Sequence, residues 1–278
     1  MPVLTCSLLA WLPGLARAAA PDTLIVVTLN LWNDQHDWPK RLARIVPGLR
    51  ALHPDVICLQ EVLQNPALPN QAQTLADSLG FHWHFASVDG PERPKRYGNA
   101  ILTPHRVLRS DDRNLLPIDD YRVATHLRLE VRGRAIDVYD THLHHTREGG
   151  AIRAVQIRDL LAFIDSTRAP GPLVLGGDFN AGAETPELQP LAPLFIDTWA
   201  VTNPQADAVA SETLNEVFGY VPQTIDHIFV ARAGKPALVP VSSRVLFRGC
   251  GPDSVWASDH FGVLAKLTVG GKSRPATR

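Results

Sequence analysis

Eight side chains in this sequence carry the functional groups that phosphate-ester cleavage calls for. They are the carboxylates Glu61, Asp178, Asp226 and Asp259, the amides Asn30 and Asn180, and the imidazoles His142 and His260. Breaking a phosphoester takes a hard cation, which prefers carboxylate and amide oxygens and offsets charge on the phosphate and the leaving oxygen. It also takes a base that activates water and donors that hold the non-bridging oxygens as phosphorus becomes pentacoordinate. The eight residues cover each need. The chain has no Gly-x-Ser-x-Gly elbow, no glycine-rich phosphate loop and no paired-cysteine zinc pattern to support a rival chemistry.

These residues sit where apolar runs stop. Leu24 to Leu29 ends in Asn30, and Val56 to Leu59 ends in Gln60-Glu61. Ile136 to Tyr139 leads to Asp140-Thr141-His142, and Leu173 to Leu175 passes through Gly176-Gly177 to Asp178 and Asn180. With Ala100 to Leu102, Ile225 to Val230 and Phe261 to Leu267, the runs read as strands of sheets covered on both faces, because they are apolar at nearly every position. Helical spacing recurs at Leu42, Ile45, Val46, Leu49 and Leu52, and again at Ile157, Leu160, Leu161 and Ile164. Strand ends that converge on one rim are a common way to assemble a site in an α/β protein.

Composition sets the bounds. The 278 residues are 45% hydrophobic and 20% charged, enough for a large core in a single domain. A formal net charge of -1 gives the whole molecule no attraction for polyanions, which disfavours a tight nucleic-acid binder but leaves room for a local basic groove. Residues 1–18 read as an export signal, with an apolar stretch from Val3 to Leu15 and the small-x-small sequence Ala16-Arg17-Ala18, although no basic residue precedes the stretch. That implies a secreted or periplasmic protein; without a signal the chain would be cytoplasmic. The stretch is too short and too broken by Pro13 and Gly14 to span a bilayer. Residues 19–269 form the expected domain and 270–278 a loose polar tail. Cys58, within an apolar run, reads as a buried inert thiol, and a bridge to Cys250 stays open. Trp83 and Phe85 read as core residues.

The motifs taken in order carry a resemblance. Thr28-Leu29-Asn30-Leu31-Trp32, Leu59-Gln60-Glu61-Val62, Gly98-Asn99-Ala100-Ile101-Leu102, Thr141-His142-Leu143, Gly176-Gly177-Asp178-Phe179-Asn180, Ile225-Asp226-His227-Ile228 and Ser258-Asp259-His260-Phe261 resemble the ordered motifs of the endonuclease/exonuclease/phosphatase superfamily. The resemblance implies an α/β fold, a four-layer sandwich of two mixed sheets face to face with helices outside. It implies Mg²⁺ or Mn²⁺ held chiefly by Glu61, with Asn30 nearby and Asp259 contributing directly or through water. By the same resemblance Asp178 orients or deprotonates water, Asn180 and His142 hold phosphate oxygens, and Asp226 fixes the tautomer of His260 and raises its pKa. Whether Asp178 or His260 is the formal base stays open.

Substrate choice depends on loops. Arg96 and Asn99 are expected to touch substrate, as is His145. A zinc site of His142, His144 and His145 is disfavoured, because in an extended segment His142 and His144 face one way and His145 the other. A compact phosphate ester, from a small molecule or a lipid headgroup, is the first expectation. A secreted nuclease of low specificity, with nucleic acid as substrate only, is the second. The third is an idle family member that only binds. A monomer without stable membrane insertion is expected.

Overall fold

The computed structural model describes residues 23–234, 237–251 and 253–269. The proposed export signal and the C-terminal tail therefore lie outside the described residues. In chain order the elements are β1 (Thr23–Asn30), α1 (Trp38–Leu52), β2 (Val56–Gln64), α2 (Gln71–Leu79), β3 (His82–Ser87), β4 (Arg96–Thr103) and β5 (Arg106–Asn114). Next come β6 (Val123–Val131), β7 (Arg134–His142), α3 (Gly150–Thr167), β8 (Leu173–Asp178), β9 (Phe195–Asp197), α4 (Thr198–Thr202) and α5 (Ala208–Ser211). The last strands are β10 (Asp226–Ala231), β11 (Leu238–Leu246) and β12 (Gly262–Val269).

The strands make two six-stranded mixed sheets, ordered β11-β12-β1-β2-β4-β3 and β5-β6-β7-β8-β10-β9. Each sheet has one parallel pair joined by a helical crossover: α1 carries the chain from β1 to β2, and α3 carries it from β7 to β8. The sheets face each other through Val26, Val56, Cys58 and Ile101 on one side and Leu127, Val138, Val174 and Ile228 on the other. The outer face of the first sheet (Val27, Leu29, Ile57, Leu59) is covered by Ile45 and Leu49 of α1 and Leu75 of α2. The outer face of the second, through Tyr139 and Leu175, is covered by Ile157, Leu160 and Phe163 of α3. Adjacent residues of β1 and β2 thus enter different cores, which is why the runs are apolar without alternation. The four-layer sandwich is the architecture expected.

Apolar runs in the sequence do not mark β3, β5, β6, β9 or β11. Four of these form the sheet edges, where one face meets solvent and apolar residues thin out. β5 reads Arg-Val-Leu-Arg-Ser-Asp-Asp-Arg-Asn and is mostly exposed. Edge position also corrects the reading of Trp83, which is 38% exposed on β3, whereas Phe85 packs against the helix-covered core. Cys58 and Cys250 are both free, one buried between the sheets and one exposed, so the possible bridge is absent.

Candidate active site

Strand pairing brings distant residues into one row. Parallel pairing of β7 with β8 sets His142 opposite Asp178, and antiparallel pairing of β8 with β10 sets Asp178 opposite Asp226. Gly177, with φ of 147°, allows the close approach of these strands, since a Cβ there would run into the Thr141 carbonyl. Across the cleft, Asn30 at the end of β1 pairs with Gln60 of β2. Gln60 points between the sheets, where its amide donates to Asp140 Oδ1 at 2.7 Å and Thr28 Oγ1 at 3.0 Å. Burial pushes the Asp140 carboxyl well above the usual range, against the Gln60 amide that donates to it.

Glu61 reaches the cleft through a bulge. Leu59 and Val62 both enter the helix-covered core, an odd spacing that a regular strand forbids, and the register against β4 shifts between them. Glu61 adopts φ of 55° at that point. In an unbroken strand it would face the helices; the left-handed residue turns it into the cleft instead. Non-glycine residues hold such a conformation where the surroundings over-determine it, a pattern that favours functional positions. Asn33, which no sequence motif singles out, donates to Glu61 Oε2 at 2.9 Å.

The result is a cavity of about 580 Å³ whose wall includes Glu61, His142, Asp178, Asn180, Asp259 and His260. Its charge network is directional. Asp178 accepts from the Asn30 amide at 3.0 Å and from the Asn180 main-chain N–H at 2.9 Å. Burial, reinforced by Asp226, nevertheless pushes its pKa up to about 7 against those bonds and His260. His260 donates through Nδ1 to Asp226 Oδ2 at 2.9 Å, which leaves Nε2 toward Asp178 Oδ2 at 3.8 Å. Burial opposes its charge, but Asp226 and Asp178 prevail and hold its pKa well above the ordinary value. Asp226 thus fixes the proton on Nδ1, and the two carboxylates favour the protonated ring.

His142 is the opposite case. Arg122 donates through Nη1 to His142 Nδ1 at 3.1 Å and through Nη2 to His145 Nδ1 at 3.3 Å. A guanidinium only donates, so both Nδ1 atoms accept, and each neutral ring carries its proton on Nε2. Burial, Arg122 and the other imidazoles keep His142 well below the ordinary value. The ring stays neutral and offers one N–H, with Nε2 3.4 Å from Asp178 Oδ2. Arg122 and Tyr97, both on the cavity wall, were not foreseen, and neither was Tyr220, whose hydroxyl donates to Asp259 Oδ2 at 3.0 Å. Arg122 sits in a polar stretch behind Asp119-Asp120-Tyr121 that no motif marks.

Several expected substrate contacts are rearranged. Strand β7 ends at His142, so alternation does not extend to the next residues: His145 joins His142 at the cavity, while His144 turns away to Asp120 at 2.5 Å. Arg96 lies over the Phe85 ring at 4.9 Å and donates to the Asp89 carbonyl, away from the cavity wall. Asn99 is buried and its amide ties to the Val123 carbonyl at 2.8 Å, joining β4 to the start of β6. Neither residue is on the cavity wall, and each spends one nitrogen on the main chain, Arg96 through Nε and Asn99 through Nδ2. Asn30 is likewise committed, donating to Asp178 and accepting from the Trp32 main-chain N–H at 2.9 Å.

The donor set suits a hard cation. Glu61 and Asp259 present carboxylates to the same cavity, and Glu61 adds to the burial that raises the Asp259 carboxyl. Asp178, Asp226 and His260 form a second group, with one ligand atom each within 4.8 Å of one another. The Asp226–His260 hydrogen bond already consumes part of that group's capacity.

Arg41 fixes the loops that carry this apparatus. Fully buried, its guanidinium donates to the carbonyls of Leu31, Trp32, Asn33, Gln35 and Ala257. It thereby ties the loop after Asn30 to the segment before Asp259. Burial brings its pKa down to about 10, with Asp259 opposing. Arg41→Met is expected to lower unfolding free energy by roughly 3 kcal/mol or more, since buried carbonyls are left unsatisfied. A chemical-denaturation midpoint unchanged from wild type would contradict that role.

The chain matches the Endonuclease/Exonuclease/phosphatase family over residues 27–260. It is 30% identical to nocturnin of Drosophila melanogaster over 57% of this chain and 25% of that protein. Protein angel of the same fly is 23% identical over 84% of this chain and 72% of its own. The chain thus spans only a quarter of the nocturnin it matches. Among solved structures, D. rerio TDP2 complexed with single strand DNA product superposes with a TM-score of 0.74 at 18% identity, covering 88% of this chain and 99% of that one.

Proposed function

Because the chain belongs to the Endonuclease/Exonuclease/phosphatase family, we propose that it hydrolyses a phosphate ester in the cleft between its two sheets, with Mg²⁺ or Mn²⁺ as cofactor. The observation that carries this is the single cavity shared by Glu61, Asp178, Asp259 and His260, residues separated by up to 199 positions (260 − 61) yet facing one space. Glu61 and Asp259 would hold the cation, and Asn30 acts through Asp178. When bound, the cation supplies charge neutralisation for the phosphate oxygens.

The protein's own groups do the rest. Asp178, with a pKa near neutrality, takes a proton from water while the Asn30 amide and the Asn180 main-chain N–H keep its oxygens aimed. His260, cationic through Asp226, meets charge developing on the phosphate. His142 and His145 offer neutral N–H groups to non-bridging oxygens, and Arg122 holds both rings in that tautomer.

A compact ester fits better than a long polyanion, given a 580 Å³ cavity and a net charge of -1. Nucleic acid is the second reading, favoured by the structural likeness to TDP2 complexed with single strand DNA product. A panel of plasmid DNA, sphingomyelin, inositol phosphates and small phosphodiesters, each with Mg²⁺, Mn²⁺ or chelator, tests both. Metal-dependent hydrolysis is expected to be fastest on small esters. Plasmid nicking far above the rest would replace the first reading with the second, and no hydrolysis under any condition would end both.

A further inference from the structure

Each carboxylate assigned to the cation is met by one neutral donor from a neighbouring loop. Asn33, in the loop after β1, donates through Nδ2 to Glu61 Oε2 at 2.9 Å, and the Tyr220 hydroxyl donates to Asp259 Oδ2 at 3.0 Å. Both donors stand on the wall of the phosphate cavity with the carboxylates that they hold. Neither is used by the proton transfer or the phosphate contacts described above.

Their loops are built to keep them there. Asn33 Oδ1 accepts from the Asp34 main-chain N–H at 2.8 Å, which sets the amide with Nδ2 toward Glu61. The Asn33 carbonyl accepts from Arg41 and from Gln71, each at 2.6 Å, and its φ of 38° is a left-handed value that asparagine tolerates better than most residues. The loop of Tyr220 closes where Thr213 and Leu214 donate main-chain N–H groups to the Gln223 carbonyl, at 2.8 and 3.2 Å. Main-chain bonds from Asn215 to Asp259 at 2.9 Å and from Phe261 to Thr213 at 2.6 Å stitch its base to the Asp259 segment. Phe218 rests on Trp32, centroids 4.5 Å apart, so the tip that carries Tyr220 is tied to the loop that carries Asn33.

Asp259 depends on Tyr220 in particular. Its Oδ1 is 3.2 Å from Ser258 Oγ, but that hydroxyl has one proton and a closer acceptor in the Asn30 carbonyl at 2.7 Å. We propose that Asn33 and Tyr220 are positioning residues for the cation, each pinning one oxygen of a carboxylate so that Glu61 and Asp259 stay in place before the ion arrives. The inference rests on the assignment of those two carboxylates to the cation. Like charges facing one cavity repel, and a pinned side chain resists being driven away. Groups that orient a ligand in this way contribute to metal affinity without touching the metal.

Calorimetric titration of Mn²⁺ without substrate tests the role. Tyr220→Phe, which keeps the ring, and Asn33→Gly, which suits the left-handed backbone, are each expected to bind Mn²⁺ about tenfold more weakly, the low end of the cost of losing a ligand-orienting group. Val221→Ala, on the same loop and 65% exposed, should bind as the wild type does. With the ester hydrolysed fastest in the panel above, the Mg²⁺ concentration for half-maximal turnover should rise about tenfold in each of the two variants, while kcat at saturating Mg²⁺ stays near that of the wild type. A general loosening of the loops would instead lower kcat at every Mg²⁺ concentration. Unchanged or tighter Mn²⁺ binding in either variant, or a kcat that falls with no shift in the Mg²⁺ requirement, would overturn the positioning role and leave Glu61 and Asp259 as ligands. A wild type that binds no Mn²⁺ would remove the cation assignment itself, and the positioning role with it.

Discussion

Asp178→Asn is expected to lower kcat by about a thousandfold, within the range a positioned general base supplies, while thermal unfolding stays near that of the wild type. The amide keeps the shape of the carboxylate, so Asn30, Asn180 and His260 retain a neighbour of the same size. The loss is of proton acceptance. This fixes the sign of the pH dependence. A base with its pKa at about 7 is protonated and inactive below that value, so kcat/KM rises with pH on the acid side and levels above it. A cation at Glu61 and Asp259 would draw the limb to lower pH, because positive charge favours the carboxylate. The residual activity of Asp178→Asn should lack this limb. If the variant kept both the rate and the acid limb, the base would be another group, with His260 the next to test.

Glu61→Gln is expected to weaken binding of the activating metal by at least about a hundredfold, since even groups that only orient a ligand cost 10–100-fold when removed. Turnover at limiting Mg²⁺ should collapse and recover only in part at saturation. The substitution removes one negative charge from a cavity where Asp259 feels it, so the Asp259 carboxyl should ionise more readily. Calorimetric titration of Mn²⁺ into both proteins, without substrate, reads the affinity directly. Equal affinity would remove Glu61 from the metal site and shift attention to the group formed by Asp178, Asp226 and His260.

The parts of this protein legible before folding were those with one dominant local cause. Val26, Val27 and Leu29 in β1 and Val56, Ile57 and Leu59 in β2 had to be buried on both faces, and a run without polar relief says so. Edge strands gave no such signal, because β5 and β11 answer to solvent on one side and lose the apolar pattern with it. The motif residues Glu61, His142, Asp178, Asp226, Asp259 and His260 were visible as chemistry-bearing side chains at strand ends. Arg122, Tyr97, Asn33 and Tyr220 were not, since an arginine or tyrosine in a loop has many uses and only its neighbours select one.

Residue types and their order in the chain determined the family, the sheet-forming segments and the inventory of oxygen and nitrogen donors. Tertiary structure alone decided direction and state. A left-handed residue in a bulge turned Glu61 toward the cleft, and the end of β7 at His142 swung His145 inward and His144 out. Sheet packing brought Asp226 against His260, and pairing of β6 with β7 brought Arg122 against His142, favouring the protonated ring in one and the neutral ring in the other. Both are histidines in the chain; their state depends on burial and on partners 34 and 20 residues away, the first brought in when the two sheets pack and the second when β6 pairs with β7.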